Sequence, residues 1–191
     1  MSDASIRIEP NSLNDTLNLL AAYRQGSKRA LYRSINLGAK QGRKAAVDGM
    51  AAKANLKKTT IRDKTKVYFA SLSKMQAKVV LQSKVLPLTD FGARQTKTGV
   101  TFRIWKDKPR QKYKHAFFWT LVKERYTGVF EPNVDSPSFN GFGPYRRKSG
   151  PAVPTIYEQT PGLAGKAEET AAQAMLKELD RQVGLINRGL L

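Results

Sequence analysis

The chain has 191 residues, enough for one domain with a real core, and two full domains would be cramped. A hydrophobic fraction of 40% and a charged fraction of 26% exclude a disordered polymer, and zero cysteine excludes disulfides, thiolate nucleophiles and cysteine-based zinc sites. Lys plus Arg number 34 against 15 Asp plus Glu, a formal charge of +19. That excess is beyond what solubility requires and points to a polyanionic partner, nucleic acid first and an acidic protein surface second.

The opening MSDASIRIEPNS has no apolar core segment, so no signal peptide is expected. Ile6 to Ile8 has strand character. Asn11 or Ser12 can cap a helix to about Arg24, with Leu13, Leu17, Leu20 and Ala21 at helical spacing. A longer helix is expected from Ser27 to about Ala54. Its residues Leu31, Ile35, Gly38, Gly42, Ala45 and Gly49 form a heptad-like seam. Gly inside a helix costs about 1 kcal/mol relative to Ala. The small seam therefore means either a broken helix or a partner packed close at Gly38, Gly42 and Gly49. Arg29, Arg33, Lys40 and Lys44 lie around the opposite flank, as a solvated face or a polyanion-facing stripe.

Asn55 to Lys66 is polar and basic, and Thr59 or Thr60 can cap one helical turn through Lys64. Val67 to Ser71 and Ala77 to Gln82 read as a hairpin or as adjacent antiparallel strands. Leu86 to Val100, LPLTDFGARQTKTGV, holds Pro87, Gly92 and Gly99 with the basic pair Arg94 and Lys97. It feeds a strand from Val100 to Trp105. Residues 106–114, with five Lys or Arg, read as an exposed loop tip. His115 to Val122 and Tyr126 to Phe130 form a further strand pair. Glu131 to Ser149 is Pro-, Gly-, Ser- and Asn-rich and reads as a loop. Its Phe139, Phe142 and Tyr145 need a surface, either the chain's own core or another subunit. Thr160-Pro161 starts a last helix to about Asn187, with Ala172, Leu176, Leu179, Val183 and Ile186 as its buried stripe.

The expected fold class is α+β in one domain: N-terminal helices over about 12–64, a mostly antiparallel sheet over about 65–130, a loop over 131–159, and a C-terminal helix over about 161–187. The helices should cover one face of that sheet. The longest apolar run, Ala116 to Val122, is too short to cross a bilayer, so no membrane partner is expected.

Catalysis has little support. His115, the single histidine, reads as a packed or hydrogen-bonded residue. Asp90 reads as a turn residue bonding backbone N–H groups, with no second carboxylate at suggestive spacing. Walker A, GxGxxG and HExxH patterns are absent from the sequence. The expectation is no enzyme, no cofactor and no metal. Base-reading motifs are missing too, while basic residues are dispersed, which suits phosphate contact without sequence reading.

LPLTDFGARQTKTGV resembles the central pattern of the bacteriophage minor tail protein Z family, through Leu86-Pro87-Leu88, Phe91, Ala93-Arg94-Gln95, Lys97 and Gly99-Val100. Ala116-Phe117, Gly128-Val129-Phe130 and Gly150-Pro151-Ala152-Val153-Pro154 extend the likeness. So does KRALYRSINLGAKQGRKAAV, with Ala30, Arg33, Ile35 and Asn36 in corresponding places. The likeness spans roughly residues 28–160, and the 131–148 segment departs from the family's usual approach to Gly-Pro. The resemblance implies a virion structural protein, made in the host cytoplasm, that completes the tail or joins it to the head. It implies self-assembly into a ring, often of six subunits, beside other neck and tail proteins and around double-stranded DNA. The rival readings are a non-specific nucleic-acid-binding protein outside any virion ring, and an enzyme such as a nuclease, which needs a pocket with paired carboxylates.

Overall fold

A computed structural model describes residues 4–8 (as backbone), 26–121, 126–141 and 143–188. The helix expected before Arg24 and residue Phe142 lie outside these. The fold is α+β, and the strands among the described residues form three small antiparallel sheets of three strands each. One continuous sheet was the expectation. The glycine turns and prolines between strands break the ladder instead.

The long helix, α1 (Gly26–Lys53), packs lengthwise on the last helix, α4 (Leu163–Asn187). Leu31, Ile35, Gly38 and Gly42 are buried as the seam predicts, but the buried line then moves to Ala46 and Met50, leaving Ala45 and Gly49 half-buried. A straight α-helix drifts about 20° per heptad against a 3.5-residue repeat, which accounts for the one-residue shift. Glycine permits the close approach. A Cβ at Gly38 would stand 2.8 Å from the Ala171 carbonyl oxygen and 3.1 Å from the Met175 Cβ. At Gly49 it would meet Leu163 Cδ1 at 2.2 Å. The helix is unbroken, so tight packing is the correct reading of Gly38 and Gly49.

The stripe on α4 is corrected. Ala172 and Leu176 are exposed, and the buried line is Leu163, Ala167, Ala171, Met175, Leu179 and Gln182. Thr160-Pro161 does not start the helix. Thr160 is buried and donates its hydroxyl to the Ile156 carbonyl at 2.7 Å, closing the short helix α3 (Val153–Glu158). Gly162, at φ 69°, then resets the direction and α4 begins.

The first sheet has the order β1-β3-β2, with β1 (Ala4–Ile8), β2 (Thr65–Tyr68) and β3 (Ala77–Leu81). It packs on α1 and completes the larger core with Ile35, Met50, Ile61, Val79, Leu81, Phe91 and Ile156. Before it lies a one-turn helix, α2 (Lys58–Asp63), which starts after Lys57 with no side-chain cap, so neither Thr59 nor Thr60 caps it.

The second sheet contains β4 (Arg94–Thr96), β5 (Gly99–Phe102) and β6 (Gln111–Lys114). The strand expected to reach Trp105 ends at Phe102, and Trp105 forms an isolated bridge with Ala54. The expected loop tip is shorter, because its last four residues are β6. The third sheet contains β7 (Phe117–Leu121), β8 (Tyr126–Pro132) and β9 (Tyr145–Lys148), so the expected 131–149 loop gives up both its ends to strands. Leu88, Val100, Phe102, Ala116 and Val129 form a smaller core between these two sheets.

The two blocks that the sequence sets apart meet in space. The Gly150 N–H donates to the Leu86 carbonyl at 2.8 Å, and Pro87 bridges Ser149. The Phe91 ring lies where a Gly150 side chain would be, with Cε2 2.3 Å from that position. Leu86 and Phe91 enter the larger core and Leu88, between them, enters the smaller one.

Candidate nucleic-acid interface

On α1, Arg29, Arg33, Lys40 and Lys44 are all exposed. At 100° per residue their directions fall in one stripe. α2 crosses beside the later part of this stripe and turns it into a groove of about 260 Å³, lined by Lys40, Arg43, Lys44, Val47, Asp48, Lys58, Thr59 and Arg62. Five of the lining residues are cations and one is a carboxylate. That carboxylate, Asp48, is already paired with Lys58 at 2.6 Å. Arg43 donates from Nη2 to the Arg62 carbonyl at 2.9 Å, while its buried Nε finds no acceptor among the described residues. Like charges held this close repel, and an anion in the groove relieves that repulsion.

Lys40 and Lys44 are therefore brought together with three residues that sequence reasoning did not single out. Arg43 follows Lys40 by three and so shares its face. Lys58 and Arg62 are four apart, one helical turn, inside a segment whose basic character was plain. Their convergence on α1 is tertiary and has no local signal. Arg33, earlier in the same stripe, is close enough to Glu178 of α4 to act on its charge, and the Glu178 carboxyl is held below the ordinary glutamate range. The main cause is its hydrogen bond to Arg181, at 2.9 Å from Nε, with Gln182 and Arg33 adding to it against the opposing effect of burial.

Arg94 and Lys97 do not line this groove. Arg94 is on β4 opposite Thr101, which is itself opposite Lys112 on β6, so Arg94 and Lys112 share the outward face of the second sheet. Arg110 reaches across that face to the Gly92 carbonyl at 2.6 Å and the Thr101 carbonyl at 3.2 Å. Lys97 is exposed in the β4–β5 turn. The basic surface is thus at least two faces.

Several residues of the quoted motifs have architectural partners. Gln95 accepts from the Phe118 N–H at 3.0 Å and donates to the Ala116 carbonyl at 3.4 Å, tying the second sheet to the third. Asn36 bonds both polar groups of Ala70, donating to its carbonyl at 3.0 Å and accepting from its N–H at 2.7 Å. Asn55 donates to the Phe91 carbonyl at 3.0 Å. Tyr145 rests on the chain's own β7, its ring centroid 5.4 Å from Phe117 and 5.2 Å from Trp119, both edge-on. Phe139 is half-buried in a hollow with His115, Glu131 and Arg146.

Two readings of titratable groups are corrected. His115 is exposed with φ at 61°, in the turn between β6 and β7, and the strand begins only at Phe117. Asp90 bonds no backbone N–H among the described residues. It is half-buried in the 3-10 turn Leu88–Phe91, and burial raises its pKa against the lowering charges of Lys57 and Lys64. Among the described residues no group of three or more His, Asp or Glu could hold a metal ion, and no helix is long and apolar enough to cross a membrane. Compared with protein-family models, curated proteins and solved structures, the chain matches none.

Proposed function

We propose that the protein is a structural subunit of a phage virion, a tail-completion or neck protein that assembles with itself into a ring and presents basic faces to double-stranded DNA. The observation that carries the polyanion part is the α1–α2 groove, where five cations face one carboxylate that is already paired. The ring, the neighbouring neck and tail proteins and the virion location rest on the resemblance of Leu86–Val100 and Gly150–Pro154 to the minor tail protein Z family. The contact between these two blocks is consistent with a shared structural unit. On this reading the protein acts by assembly, and its charge becomes useful when several copies surround one axis.

Sedimentation velocity of the purified chain over a rising concentration series tests the reading. A closed oligomer of defined mass, present in the assembled particle, is the expected result. A chain that stays monomeric at every concentration and is missing from purified virions overturns it. The same groove favours a second reading, a non-specific nucleic-acid-binding protein with no virion role. In that case the monomer binds duplex DNA with log K falling by about 0.9 for each phosphate neutralised per decade of salt.

A further inference from the structure

Beside the basic groove stands the tip of the β2–β3 hairpin, where Tyr68 and Phe69 are 56% and 52% exposed. Large aromatic side chains that keep half of their surface in water are only partly accounted for by burial in the fold. The groove and the tip are one surface, because Lys40 lines the groove and its ammonium stands 5.4 Å from the centre of the Phe69 ring. Past the aromatics the surface continues into a hollow lined by Tyr68, Phe69, Lys74, Gln76 and Lys78, among others. Tyr68 sits directly opposite Lys78 in the sheet. Hydrogen bonds brace the backbone that follows the two rings. The two Asn36 bonds to Ala70 fix the residue that follows Phe69 onto α1, and Ser71 and Lys74 exchange backbone bonds at 2.8 and 3.2 Å to close the turn.

We propose that this surface holds a single-stranded segment of nucleic acid, with its phosphates in the α1–α2 groove and its bases on Tyr68 and Phe69. A cationic track beside exposed aromatic rings meets the two needs of an unpaired strand, charge for the backbone and π-faces for the bases. A duplex keeps its bases stacked on each other and leaves the rings without a function. A second copy of the chain is disfavoured here, since the rings are set among lysines and every copy carries +19. The inference does not depend on a ring or a virion.

The test uses the full chain and a fluorescein-labelled oligothymidylate of about 12 nucleotides, with a duplex of the same length and polyglutamate as comparators. The single strand should bind tighter than either. Tyr68→Ala and Phe69→Ala should each weaken it by roughly 5- to 100-fold, and Phe69→Trp should retain binding. Lys40→Ala should lower the salt slope by about 0.7. Both aromatic positions are exposed, so circular dichroism of the variants should match the parent. Duplex binding at least as tight, with both alanine variants unchanged, overturns the proposal in favour of a duplex backbone site. Equal competition by polyglutamate overturns it in favour of an acidic protein partner. A chain that stays monomeric at every concentration, is missing from purified virions and still binds the single strand as described overturns the ring and leaves this inference standing.

Discussion

Gly38 shows how one missing side chain sets the distance between two helices. Alanine there gains about 1 kcal/mol of helix propensity. Its Cβ would also press on the Ala171 carbonyl, a backbone atom that cannot rotate away. Overpacking of this kind costs about 1–3 kcal/mol, so the net effect should be destabilising. Gly38→Ala should lower the urea midpoint, whereas an unchanged or raised midpoint would show that α1 and α4 can separate freely. Glu178 supplies a pH-dependent contribution. Its carboxyl is lowered in the folded chain, chiefly by the hydrogen bond from Arg181. The folded state thus favours its ionised form, and the stabilisation is fully present above its unfolded value of about 4.3. It is lost as pH falls through the lower folded value. Glu178→Gln should remove that part of the acid-side loss of stability, measured by denaturant titration at a series of pH values below 5, and leave the slope near pH 7 unchanged. A parent and variant with parallel acid limbs would contradict this.

At the scale of elements, α4 gives a direct test of which side is buried. Met175 is buried and Leu176 is 45% exposed. Met175→Ala should cost about 2–5 kcal/mol and Leu176→Ala about 0.5 kcal/mol or less. The opposite order would restore the stripe that the sequence suggests. That stripe was misread for a physical reason. Ala171 and Ala172 are equally small, and Met175 and Leu176 equally apolar, so period alone fits either line. The approach of Gly38 to Ala171 and Met175 decides it, and that contact spans more than a hundred positions of chain. The strand β6 was hidden because Lys112 and Lys114 face outward and only Tyr113 reaches the smaller core. A half-exposed strand of this kind looks like a charged loop. By contrast, the α1 helix was legible from its apolar spacing, and the β2–β3 and β7–β8 pairings because their partners are close in sequence, although β2 (Thr65–Tyr68) lies two to three residues before the Val67–Ser71 expected. Of the candidate interface, the Lys40–Lys44 stripe was visible from helical spacing. Its extension by Lys58 and Arg62 was not, because the angle at which α2 leaves α1 is set by the burial of Ile61, a residue with no charge signal.

At the scale of the whole molecule, dispersed charge resolves into separate faces on a scaffold whose motif residues mostly hold strands and turns together. Gln95, Asn36 and Asn55 each bond backbone of another element. Lys40, Lys44, Arg94 and Lys97 stay exposed on surfaces where a polyanion can reach them, while Arg43, Lys58 and Arg110 also bond within the fold. The 3-10 turn at Leu88–Phe91 has a consequence for how the fold comes apart. Its Leu88 enters the smaller core and its Phe91 the larger, and the Phe91 ring is seated on Gly150. Neither core can loosen without pulling on the other, so heating should give one endotherm with equal calorimetric and van't Hoff enthalpies. Gly150→Val places a side chain where that ring sits and should split the endotherm in two. The turn behaves as a rivet, and a force applied to either half of the subunit is shared by both.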